Sequence, residues 1–97
     1  MIRQPTEITL KDAIEKLLND LNLASKLKEV QLIGSWEKVA GKLIARHTKD
    51  IFIKDRVLYI KTDTAALKQE LTYMKTKLLG KLNREAGEEV IEDIRFI

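Results

Sequence analysis

GSWEKVAGKLIARHT, residues Gly34 to Thr48, decides how the rest of the chain reads. Trp36, Val39, Ala40, Leu43, Ile44 and His47 recur at three- and four-residue steps, the spacing that places side chains on one face of a helix. Lys38, Lys42 and Arg46 make a second stripe on the same helix. One face therefore packs while another carries positive charge into water. Trp36 is the only Trp of the chain, and a side chain of that size anchors whatever core a small domain builds.

Upstream, residues 1–8 read as a lead-in, with Pro5 disfavouring helix before it. Thr9 followed by Asp12 predicts a capped helix start, with a carboxylate near the positive end of the helix dipole. The first helix should run from Leu10 to Leu21, with Leu10, Ile14, Leu17, Leu18 and Leu21 at helical spacing and Lys11, Glu15, Lys16 and Asp20 solvated. Asn22 to Ser25 is a turn, and Ser25 is the cap expected for the second helix. Leu27, Val30 and Ile33 continue the apolar face, so that helix is expected to pass through Gly34 and end near His47. Glycine costs about 1 kcal/mol relative to Ala in a helix interior, which marks Gly34 as the place for a break or kink. Gly41 is expected to permit close approach of another backbone.

From Ile51 the apolar period changes to two. With Asp55 and Arg56 as the turn, Lys54 faces Val57, Ile53 faces Leu58, Phe52 faces Tyr59 and Ile51 faces Ile60 in an antiparallel hairpin. Ile51, Ile53, Leu58 and Ile60 then lie toward the helices, and Phe52, Tyr59 and Lys61 point the other way. Asp63 or Thr64 caps a third helix, with Leu67, Leu71, Met74, Leu78 and Leu82 along one face and Gly87 as its stop. Lys77, Lys81 and Arg84 form a basic stripe toward its end. Val90 to Ile97 alternates as a closing strand, with Ile94 and Phe96 on one side and Arg95 and Ile97 on the other. A strand-helix-strand order predicts that this strand is parallel to its neighbour. The whole is α+β in the order α-α-β-β-α-β: a three-stranded sheet with helices packed on one face, residues 9–97 forming a single domain.

Bulk composition narrows the class of protein. At 97 residues the core is thin, so large residues such as Trp36, Phe52 and Phe96 are candidates to fill it. A content of 44% hydrophobic and 34% charged residues indicates a folded chain. The balance of 18 Lys and Arg against 15 Asp and Glu gives a net charge of +3, which is compatible with a nucleic-acid partner without demanding one. With no Cys there is neither a disulfide framework nor a thiolate metal cluster, and the cytoplasm is the expected location. No apolar run resembles a secretion signal or approaches membrane-spanning length.

Read together, Trp36 to Gly41, His47-Thr48, the hairpin ending Val57-Leu58-Tyr59-Ile60, Gln69-Glu70-Leu71 and the closing Ile94-Arg95-Phe96 resemble the DciA family. The resemblance covers nearly the whole chain from the first helix onward. It implies a KH-like domain that binds the DnaB-type replicative helicase of bacteria, assists its loading and contacts DNA. Longer members carry a disordered basic extension, and the present sequence stops at Ile97. The Gly-x-x-Gly loop with which nucleic-acid-binding KH domains hold the backbone has no counterpart here: neither Gly34 with Gly41 nor Gly80 with Gly87 has the spacing.

The candidate residues follow from these patterns. Lys38, Lys42 and Arg46, if gathered in space with Lys77, Lys81 and Arg84, would neutralise phosphates weakly, with salt sensitivity and little sequence preference. Phe52 and Tyr59 on the outer sheet face suit base stacking or a protein contact; with Ile97 beside them, a protein partner or a second copy is favoured. His47 is the single His and lacks the companions that a metal site or catalytic triad needs, so it is read as a helix cap or as packing under the hairpin. Glu88 with Glu89, and Glu92 with Asp93, show no sign of a pocket. The expected function is a binding module without cofactor, metal or enzymatic activity; the alternative is an adaptor or homodimer with no nucleic-acid role.

Overall fold

The computed structural model describes residues 9–21 and 23–97. The expected lead-in, residues 1–8, and Asn22 of the first turn lie outside the described residues. Helix α1 (Leu10–Asp20) begins as its sequence predicts, with the Asp12 N–H donating to Thr9 Oγ1 at 3.1 Å. Lys11–Glu15 and Lys16–Asp20 pair along its exposed side. Helix α2 (Ala24–Gly34) starts one residue ahead of the expected cap: Ser25 lies inside the helix, and Leu23 occupies the cap position without a side-chain bond.

The long helix expected to reach His47 is three helices. Ser35 ends α2, its hydroxyl donating to the Leu32 carbonyl at 2.7 Å and competing with the backbone ladder. A short α3 (Trp36–Ala40) follows, then Gly41 at φ 98°, ψ 161°, then α4 (Lys42–Arg46). Gly41 is needed for that backbone conformation, because a Cβ is strained there. It makes no close backbone approach, as nothing lies within 4 Å of where its Cβ would stand. The break rotates the second half of the apolar face. Trp36 is buried and Val39, Ala40 and Ile44 pack against the core, but Leu43 is 65% exposed.

Strands β1 (Thr48–Lys54) and β2 (Val57–Thr62) pair in the predicted register, Lys54 to Val57 through Ile51 to Ile60. Asp55 and Arg56 hold φ of 52° and 64°, the two positive values of the tight turn whose twist matches a hairpin. Helix α5 (Ala65–Tyr73) is capped by Thr64, whose Oγ1 accepts from the Leu67 N–H. The single third helix expected here breaks at Met74, and α6 (Lys75–Ala86) completes it. Met74, predicted on the buried stripe, is partly exposed, while Leu71, Leu78 and Leu82 are buried as expected. Gly87 closes α6 in the left-handed conformation at φ 82°.

Strand β3 (Asp93–Phe96) lies parallel to β2, Leu58 opposite Ile94, in the sheet order β1-β2-β3. It starts three residues later than the alternation suggests. The Asn83 side chain of α6 takes up the preceding backbone instead: Oδ1 accepts from the N–H groups of Val90 and Ile91, and Nδ2 donates to the Ile91 carbonyl at 2.8 Å. Ile91 is thereby buried with no ladder to pair it.

Helices and the inner sheet face enclose Leu32, Trp36, Leu58, Ile60, Leu71, Leu78, Leu82, Ala86, Ile91 and Ile94. Trp36 carries the polar tie of this core. Its Nε1–H donates to Thr48 Oγ1 at 3.0 Å, and that hydroxyl donates to the Ile44 carbonyl at 2.8 Å, joining α3, α4 and β1. Of the other aromatic candidates for the interior, Phe96 packs half-buried against the core. Phe52 is 38% exposed, because the hairpin register assigns it to the outer face.

Candidate functional site

Cations gather where α3 crosses α6. Lys38, Lys81 and Arg84 line one shallow cavity of about 240 Å³ with Val39 and Glu85. Glu85 offsets part of the charge, its Oε2 lying 3.0 Å from Lys38 Nζ. Lys77 sits one turn before Lys81 on α6, exposed. Lys42 and Arg46 are exposed on α4, beyond Gly41, so the row that a continuous helix would make with Lys38 is interrupted. Three of the six basic candidates thus line one cavity, a fourth extends them along α6, and two stand on a separate short helix.

On the sheet face opposite the helices, Phe52 and Tyr59 stack with ring centroids 4.9 Å apart and planes 12° from parallel. Arg95 stands opposite Tyr59 in register, Lys61 opposite Asp50, and Lys54 opposite Val57. Ile97, 48% exposed, continues this face, its N–H donating to the Ile60 carbonyl at 2.8 Å. Lys54 and Arg95 join this face in addition to the expected site residues, and the period-two alternation already assigns them to the aromatic side. Asp93 limits the positive charge here. Lys75 lies 3.0 Å from its carboxylate, and this hydrogen bond, then the N–H of Ile94, hold its pKa below the usual value.

His47 ends α4, its N–H bonding the Leu43 and Ile44 carbonyls, which is the capping role expected of it. Its Nδ1 also lies 3.0 Å from both carboxylate oxygens of Asp63, a pairing that no local pattern announces across 16 residues. That hydrogen bond is the largest influence lowering the Asp63 pKa, and the charges of His47 and Lys49 add to it. Beside them Leu43, His47, Thr64, Ala66, Leu67 and Glu70 line an open groove of about 330 Å³. A wider cleft of about 460 Å³ separates α1 from α2. Among the described residues, no three His, Asp or Glu side chains are grouped to hold a metal ion, and no helix is long and apolar enough to cross a membrane.

The described residues make an α+β module with helices on one side of a three-stranded sheet, whose notable groups lie on open surfaces: cations over α3 and α6, an aromatic pair on the sheet. The profile described as "Dna[CI] antecedent, DciA" matches residues 9–96, and the chain belongs to this family. A UPF0232 protein of Corynebacterium glutamicum is 33% identical over 63 residues, covering 65% of this chain and 35% of its own. The UPF0232 protein of Mycobacterium tuberculosis strain H37Rv is 27% identical over 95 residues, 98% of this chain and 50% of its own. That of Rhodococcus jostii is 27% identical over 71 residues, 73% and 38% respectively. The chain therefore spans half or less of the length of these curated relatives. No solved structure gives a significant match.

Proposed function

We propose that this chain is a non-enzymatic binding module of bacterial DNA replication, acting in the cytoplasm, that engages the DnaB-type replicative helicase and touches DNA weakly and without sequence preference. Membership of the DciA family over residues 9–96 is the observation that carries the reading. The meeting of Lys38, Lys81 and Arg84 at one cavity supports the DNA contact, with Lys77 extending it and Lys42 and Arg46 flanking it. A surface of this kind binds phosphates by counterion release. With about three contacts, affinity for single strands should fall roughly twentyfold between 50 and 200 mM salt.

The test is a titration of the chain against the helicase of the same cell, with and without single-stranded DNA, at two salt concentrations. Saturable helicase binding and salt-dependent DNA binding are expected, and Lys81→Glu with Arg84→Glu should remove the DNA component while sparing folding. No association at tens of micromolar would overturn the helicase reading. Salt-independent DNA binding would overturn the electrostatic one. The exposed Phe52–Tyr59 stack with Ile97 favours a second reading, an adaptor or homodimer built on the outer sheet face. Light scattering on wild type and Tyr59→Asp separates them: a dimer lost on substitution supports self-association through this face, and a monomer in both rejects it.

A further inference from the structure

Helix α1 is capped and amphipathic, yet none of its residues is buried. Leu10, Ile14, Leu17 and Leu21 at its C-cap are 77%, 47%, 56% and 57% exposed. At 11 residues it is shorter than the helices that persist alone in water, so its helical state depends on something covering it. Among the described residues little does so. α1 meets the rest of the fold mainly through α2, and Leu18, half-buried beside the cleft between them, lies to one side of the exposed row.

The spacing of that row identifies the missing cover. Steps of four, three and four residues follow the alternating four-three rhythm of a heptad, seven residues to each pair of steps, and form a seam with Leu10 and Leu17 at d and Ile14 and Leu21 at a. A seam of this kind accepts another helix, alongside and nearly aligned. The steps also read the same in both directions, so a two-fold axis across the helix sets each seam residue level with another.

We propose that α1 is a self-association element through which two copies of this chain pair as antiparallel helices. With the axis between Glu15 and Lys16, Leu10 lies level with Leu21 of the second copy and Ile14 with its Leu17, so each seam side chain meets another. Lys11 falls on the same side as the second copy's Leu18, and Ala13 on the same side as its Asp20; no like charges oppose at close range. The antiparallel sense also carries the two bodies to opposite ends of the paired helices. A parallel pair would crowd them together. The helix is about 16 Å long, too short for its seam to cover the roughly 800 Å² per partner of a standard interface, so the dimer is weak and reversible.

Sedimentation equilibrium of the full chain from about ten micromolar to about one millimolar reads this directly. The weight-average mass should rise toward twice the monomer value in wild type and stay at one copy in Ile14→Glu with Leu17→Glu. That double variant should keep the wild-type thermal transition at low concentration, because α1 contributes nothing to the core. The chain has no Cys, so orientation is testable by oxidation: Leu10→Cys should cross-link to Leu21→Cys when the two are mixed, and not to itself. A wild type that stays monomeric throughout, a double variant that dimerises as wild type does, or ready self-cross-linking of Leu10→Cys would each overturn the proposal.

Discussion

Helices α1 and α6 are nearly equal in length and both carry an apolar row against a charged one, yet they meet opposite fates. α6 buries Leu78, Leu82 and Ala86 against the sheet, and its Asn83 organises the approach to β3. α1 buries nothing. Amphipathicity tells that a helix has a side to cover; it does not say what covers it. The difference lies in connectivity, because α6 leads back into a strand that must join the sheet, while α1 touches the body mainly through α2.

The sharpest way to break this contrast is to shorten one leucine on each helix. Leu82→Ala should cost about 2–5 kcal/mol in urea unfolding, the range for a buried leucine left as a cavity. Leu17→Ala, measured at low micromolar concentration, should stay within about 0.5 kcal/mol of wild type. Equal losses would mean that α1 belongs to the cooperative core.

A smaller effect is expected at the tie that joins α3, α4 and β1. Thr48→Val removes the acceptor of the Trp36 Nε1–H and should cost about 1–3 kcal/mol, with a change in Trp fluorescence. α1 should remain as helical as before by circular dichroism, since it shares no contact with that tie. The smallest effect is pH-dependent. Asp63 and Asp93 have folded pKa values below their ordinary ones, so their contribution is complete above the unfolded pKa and is lost as pH falls through the folded one. Asp63→Asn should therefore flatten the acid side of the stability profile, read as urea midpoints from neutral pH to about pH 3. An unchanged profile would show that the His47 contact does not persist in solution.

Much of this was legible in the chain because a two-residue repeat constrains more than a helical one. Once Asp55-Arg56 is read as the turn, the partners from Lys54 with Val57 to Asp50 with Lys61 follow, as far as the register shift between Thr48 and Asp50, and so does the placing of Phe52 and Tyr59 on a single face. The helix breaks were harder to read. Met74 is a good helix former, and Ser35 ends its helix through a hydroxyl bond to the Leu32 carbonyl that a serine inside a helix need not make. Gly41 did carry a signal, but glycine marks either close approach or a positive φ, and only the structure chooses. For the basic candidates the unknown was distance: Lys38 and Arg84 are far apart in the chain, and neither their meeting nor the offset from Glu85 follows from periodicity.

The Asn83 clamp has a consequence for assembly. Its amide is presented to Val90 and Ile91 only when the last turns of α6 are formed, so the lead into the third strand takes its native course only once that helix is wound. Until β3 pairs, one side of β2 is an open edge of unpaired N–H and C=O groups, and the interval is lengthened by the crossover that parallel pairing requires. A slowly emerging or arrested chain would be most vulnerable to aggregation in that window.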